Sequence, residues 1–140
     1  MPRIVIDTCV LVAALRSRRG ASFRLLQLVE DPRWELNLSV ALVLEYEAIG
    51  KREAGRIGIP LAVIDDIVDR LCCLARCHAI PFRLRPELRD ANDEFILELA
   101  FVGRCDYIVT HNVRDFLAAR RFGIRVVTPG DFLGIMGVKP

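Results

Sequence analysis

The stretch "IVIDTCVLVAAL", residues 4–15, decides the reading of this chain. A short β-branched run, Ile4–Val5–Ile6, ends at Asp7, and an apolar, helix-like segment follows at once. A strand that delivers a carboxylate and turns straight into a helix is a common beginning for an open α/β domain. The carboxylate itself raises a question, because an ionised group among apolar neighbours is costly unless something pairs with it. The partner is a cation, a metal ion or a backbone donor, and the remaining segments have to decide which.

Working outward, short β-rich runs alternate with longer helical patterns. "RIVID", "WELNLS", "FRLR", "DYIVT" and "IRVVT" read as strands. Between them, helices are predicted over "SFRLLQLVED" with Ser22 as cap, over "VALVLEYEAIGKREA" capped by Ser39, and over "NDEFILELAFVGR" ending at Gly103 or Arg104. Pro60 opens a further helix through "IDDIVDRLCCLARC", "VRDFLAARRFG" is closed by Gly123, and "PGDFLGIMG" completes the chain. The pattern predicts an α/β fold, one domain over residues 1–140, with a central, mostly parallel twisted sheet and helices on both faces. No repeat or Pro/Gly/Ser-rich linker divides it. Sheets of this kind carry their chemistry at the carboxyl ends of the strands, where Asp7 falls and where Thr110, His111 and Asn112 follow Val109.

Composition narrows the setting. The 140 residues carry a formal charge of +2, too little to announce a polyanion partner, and the cations are almost all arginine. No apolar run approaches the roughly 18 residues of a membrane span, and a signal peptide is not expected. The hydrophobic fraction of 53% suggests an additional buried surface, a subunit or partner interface. Five cysteines, an odd number without a regular framework, fit a reducing cytoplasm. Cys72, Cys73, Cys77 and His78 invite a zinc reading, but positions 64, 67, 68, 71, 72 and 75 repeat like one helix face, so core packing is expected.

Four segments place an acid near the same sheet edge: Asp7; Glu45 or Glu47; Asp90, Asp93 and Glu94; and Asp115. Each has a structural explanation. Asp7 could cap the next helix, Asp93 and its neighbours could answer the dipole of their own helix, and Asp115 could complete a capping box with Asn112. Glu45 falls nearer the buried side of its helix than Glu47, which stands two residues on and faces elsewhere. Taken together, converging carboxylates repel one another unless compensated, and neither a lysine nor a phosphate loop accompanies them. Oxygen-only donors suit Mg²⁺ or Mn²⁺.

At this point the sequence resembles the PIN-domain ribonucleases, especially the toxin components of VapBC-type toxin–antitoxin pairs. "IVIDTCVLVAAL" is similar to the family's opening strand, and "LSVALVLEYEAI" to its segment with a serine six residues before the catalytic glutamate, which selects Glu45. "RDANDEFILELA" resembles the D-x-x-D helix start with Asp93 as second acid, and "DYIVTHNVRDF" the late strand with its acidic loop. Two positions depart from the pattern: Cys9 stands where asparagine is common, and Asn112 where many relatives carry aspartate.

The resemblance implies metal-dependent cleavage of RNA phosphodiesters. Asp7, Glu45 and Asp93 would hold Mg²⁺ or Mn²⁺, with Asp115 or Asn112 as the fourth group. Thr8, Ser39, Asp90 and Thr110 would support them, and Arg16, Arg18, Arg19 and Arg114 would contact RNA phosphates. A cognate antitoxin, a homodimer and a cytoplasmic setting are implied as well. Two rivals fare worse. A haloacid dehalogenase phosphatase needs a second Asp where Cys9 stands, and a receiver domain needs a late lysine, yet none lies between Lys51 and Lys139. A PIN-like module that binds RNA or a partner without cutting is the alternative that Asn112 keeps open.

Overall fold

Strand β1 (Arg3–Ile6) holds the centre of the sheet because three of its four residues are apolar and buried. The computed structural model describes residues 1–80 and 91–139. Helices α1 (Thr8–Arg16) and α2 (Ala21–Gln27) lead to β2 (Glu35–Ser39), and α3 (Val40–Ile57) and α4 (Leu61–Leu74) to β3 (Arg76–His78). Then come α5 (Ala91–Val102), β4 (Tyr107–Val109), the 3₁₀ stretch η1 (Val113–Phe122), β5 (Arg125–Val127) and α6 (Pro129–Ile135).

The five strands run in the order β3-β2-β1-β4-β5, and all four pairings are parallel. From β1 the chain first steps outward to β2 and β3, then returns to the other flank for β4 and β5. With right-handed crossovers this reversal covers both faces. Helix α1 packs against both α2 and α3, α3 against α4, α6 against α2, and α5 with η1. The switch point lies between β1 and β4, where Ile6 is in register with Val109.

Local chemistry accounts for most boundaries. Ser39 caps α3 by accepting from the Leu42 amide at 3.3 Å. Gly58 closes α3 and Gly123 closes η1, each in the left-handed region that glycine enters without strain. Thr128 caps α6 through the Asp131 amide. The core gathers Ile4, Val5, Leu11, Leu38, Leu42, Ile96, Leu97 and Ile108, with Trp34 and Tyr107 each meeting Phe132 edge-on.

The structure corrects three expectations. Ser22 does not cap α2: Gly20 holds that position, and Ser22 lies inside the helix, buried, with its hydroxyl 2.7 Å from His111 Nε2. The helix through the cysteines stops at Leu74, and Arg76–His78 continue as strand β3 beside β2. Its apolar face does pack inward, with Ile64, Val68 and Leu71 buried, while Cys73 and Cys77 are exposed. The run at Val113–Phe122 is 3₁₀ rather than α and is broken at Phe116, whose φ of −116° lies outside helical values. The strand predicted over 82–85 and the acid Asp90 lie outside the described residues.

Candidate active site

Asp7 is the single residue between the end of β1 and the start of α1, so the two elements fix its placement from either side. It occupies the N-cap position of α1, yet its side chain makes no capping hydrogen bond. The carboxylate is instead held sideways. Its Oδ2 accepts from Thr110 Oγ1 at 2.7 Å and from Cys9 Sγ at 3.2 Å. Thr110 itself is fixed by the parallel ladder and also accepts from the Asn112 amide at 3.0 Å. Asp7 is 6% exposed, so two donors on one oxygen address only part of its desolvation.

A cleft of about 640 Å³ opens at the carboxyl ends of the strands, beside the switch point. Its wall brings together Asp7, Thr8 and Cys9 from the start of α1, Glu45 and Ile49 from α3, Asp93 from the first turn of α5, and His111 and Asn112 from the loop after β4. Arg16 and Ser17 complete it at the far end of α1. Glu47, the alternative to Glu45, is instead paired with Lys51 at 3.1 Å. Asp115 is exposed on η1 and is not part of this wall, and Asn112 makes no side-chain cap that would join Asp115 in a capping box. Arg18, Arg19 and Arg114 are exposed and stand off the wall, and Ser39 is engaged as the cap of α3.

The electrostatics of the cleft are recorded by its neighbours. Burial, and then the charge of Asp7, push the Cys9 thiol up to about 11. Tyr46, which lies beneath and donates its hydroxyl to the Ile6 carbonyl, is raised well above the usual phenol range by burial and by the charges of Asp7 and Glu45. The carboxylates thus create a negative field that extends into the core.

The donor set fits a hard divalent cation: three carboxylates and an amide oxygen, with Thr8 Oγ1 buried and lacking a hydrogen-bond partner among the described residues. Among the described residues, however, no three metal-ligating side chains stand close enough to hold an ion by themselves. Sequence reasoning missed the second layer, Cys9 and Ser22. Standing where the family carries asparagine, Cys9 signals a lost polar neighbour of Asp7, yet its thiol supplies that hydrogen bond, and the hydroxyl that meets His111 comes from a helix position 89 residues away.

Comparison with known proteins agrees with the topology. The family model described as PIN domain matches residues 3–114, and the chain belongs to that family. Compared by sequence with curated proteins, it has no match. Among solved structures it is similar in fold to VapBC-1 from nontypeable Haemophilus influenzae, with a TM-score of 0.61 and 15% identity over 91% of this chain and 98% of the other. VapBC2 from Rickettsia felis, solved bound to a DNA fragment from its promoter, gives 0.61 and 15% over 89% and 96%. FitAB bound to an IR36 DNA fragment gives 0.59 and 18% over 90% and 94%.

Proposed function

We propose that this PIN-domain protein is a Mg²⁺- or Mn²⁺-dependent endoribonuclease and the toxin of a type II toxin–antitoxin pair. The observation that carries the reading is the position of Asp7: a buried carboxylate at a helix start that is not spent on capping, facing one cleft with Glu45 and Asp93. When bound, the divalent ion supplies an activated water and charge neutralisation for in-line displacement at phosphorus. Asp7, Glu45 and Asp93 would hold it, with Asn112 as a neutral fourth oxygen donor. Thr110 and Cys9 fix Asp7 through Oδ2, which leaves Oδ1 for the ion. Asp115, exposed on η1, would act at the rim, and Arg18, Arg19 and Arg114 would meet flanking phosphates.

The similarity to VapBC and FitAB assemblies supports a small antitoxin protein as partner. The exposed Val40 and Leu44, one turn apart on α3, support a further covered surface such as a homodimer interface. No described helix is long and apolar enough to cross a membrane.

The test is direct. Purified protein freed of any antitoxin should cleave RNA with Mn²⁺ or Mg²⁺ and stop on addition of EDTA. The looser spacing of the carboxylates and the neutral Asn112 favour one second reading, a PIN module that binds RNA without cutting it. Binding of labelled RNA with no metal-dependent cleavage would establish that alternative instead.

A further inference from the structure

The cleft is acidic, yet the substrate proposed for it is a polyanion. Among the described residues, one arginine or lysine stands on its wall: Arg16, in the last turn of α1. Its guanidinium is anchored. The Nε donates to Glu53 Oε1 at 2.7 Å, joining the end of α1 to α3. Arg16 has a side-chain exposure of 56% and Glu53 of 8%, so a sunken carboxylate grips a cation that reaches into solvent. Arg56 stands 3.6 Å from the other oxygen of Glu53, which accounts for the charge of this acid at its buried position. The neighbouring guanidiniums hold the Glu53 carboxyl below its ordinary range, with the Arg16 hydrogen bond as the leading cause.

Two features distinguish this pair from an ordinary surface ion pair. Only Nε of Arg16 is engaged; among the described residues its terminal nitrogens make no hydrogen bond, so the forked end of the guanidinium remains for a ligand. Arg16 lines the same wall as the three carboxylates, where a planar double donor matches the oxygens of a phosphate. An arginine already fixed at Nε loses less freedom on binding than an untethered one.

We propose that Arg16 clamps a non-bridging oxygen of an RNA phosphate at the mouth of the cleft, and that Glu53 is the positioning residue that holds it there. The inference rests on the ribonuclease reading of the same cleft. It singles out Arg16 from Arg18, Arg19 and Arg114, which have no buried anchor of this kind among the described residues.

The experiment compares wild type, Glu53→Gln, Arg16→Gln, Arg16→Lys and the Glu53→Gln/Arg16→Gln pair. It measures KM and kcat with Mn²⁺, and the affinity for a fluorescein-labelled single-stranded RNA in EDTA over a salt series. Glu53→Gln makes the protein more positive, so long-range electrostatics alone tightens RNA binding. The clamp requires the opposite: KM and Kd rise about tenfold, the size of one charged hydrogen bond, while kcat changes little. The salt slope falls by roughly 0.7, the contribution of one single-strand phosphate contact. Arg16→Gln should match this, the double variant should be no worse, and Arg16→Lys should recover only part.

Tighter or unchanged binding in Glu53→Gln overturns the proposal. If that variant fails to fold, the exposed Arg16→Gln decides: unchanged KM, Kd and salt slope overturn it equally. A wild type that neither cuts nor binds RNA removes the clamp and the ribonuclease reading together. A wild type that cuts while every variant behaves like it removes the clamp alone. A wild type that binds without cutting, with the variants weakened as stated, sustains the clamp and removes the ribonuclease reading.

Discussion

Thr110 Oγ1 reaches Asp7 Oδ2 at 2.7 Å across 103 residues of sequence, linking the ends of the two strands that flank the switch point. Both residues are buried, so this bond is the chief polar support of the carboxylate inside the protein. Thr110→Val keeps the shape and removes the donor. It should destabilise the fold by about 1–3 kcal/mol, the usual result of stranding a buried polar group. Thr110→Ser should retain most of the stability, and urea denaturation midpoints of the two variants check the difference.

The three carboxylates of the cleft carry the second prediction. Asp7→Asn, Glu45→Gln and Asp93→Asn should each abolish metal-dependent RNA cleavage. In EDTA, Asp93→Asn should melt no lower than wild type, because removing one of several like charges relieves repulsion. A clearly lower melting temperature would assign Asp93 to its helix dipole rather than to a metal.

Cysteine reactivity separates by burial. The thiolate is the nucleophile, and with the Cys9 thiol near 11 and the Cys105 thiol pushed by burial to about 12, roughly one in a thousand of the former is ionised at pH 8. Cys73 and Cys77 are exposed. Timed alkylation followed by peptide mass mapping should therefore label Cys73 and Cys77 first, with Cys9 and Cys105 protected until the protein unfolds.

Acid should weaken the fold in a definable window. His78 Nε2 lies 2.7 Å from the buried Asn37 Oδ1, and desolvation, then Arg76 and Arg3, lower its pKa below the usual 6.5. The unfolded chain then binds the proton more readily than the native one. Stability is complete above about pH 6.5 and declines as pH falls below it, through the lowered native value. Asp31, held near 2 by Arg33, loses its contribution only at much lower pH, below the ordinary 3.8. Melting temperatures from pH 7.5 to 5 should show the decline, and His78→Gln should flatten it.

Much of this architecture was legible in the chain itself, for physical reasons. β1 and β4 are near-continuous apolar runs because both faces of a parallel sheet are covered, β2 alternates with its two leucines buried, and Ser39 and Gly123 mark their helix ends by local chemistry that needs no tertiary partner. β3 was not legible. Arg76–His78 is exposed and polar at the sheet edge, so nothing in its pattern distinguished it from the helix before it. Ser22 misled for a related reason: a serine near a helix start looks like a cap, and only the folded chain brings His111 to it. Asp7 was legible from its strand-end position, whereas Glu45 and Asp93, both on helices, were singled out by the family resemblance. The Arg16–Glu53 anchor joins two helices whose mutual packing no sequence period encodes.

The central position of β1 has a consequence for biosynthesis. Its second neighbour, β4, is translated only after residue 106, so until then the growing polypeptide leaves the ribosome with Asp7 lacking Thr110 and the Val109 ladder. Fragments released by stalled or aborted translation before that point cannot assemble the cleft. Whatever reactivity this cavity possesses is therefore withheld from products that stop short of Thr110.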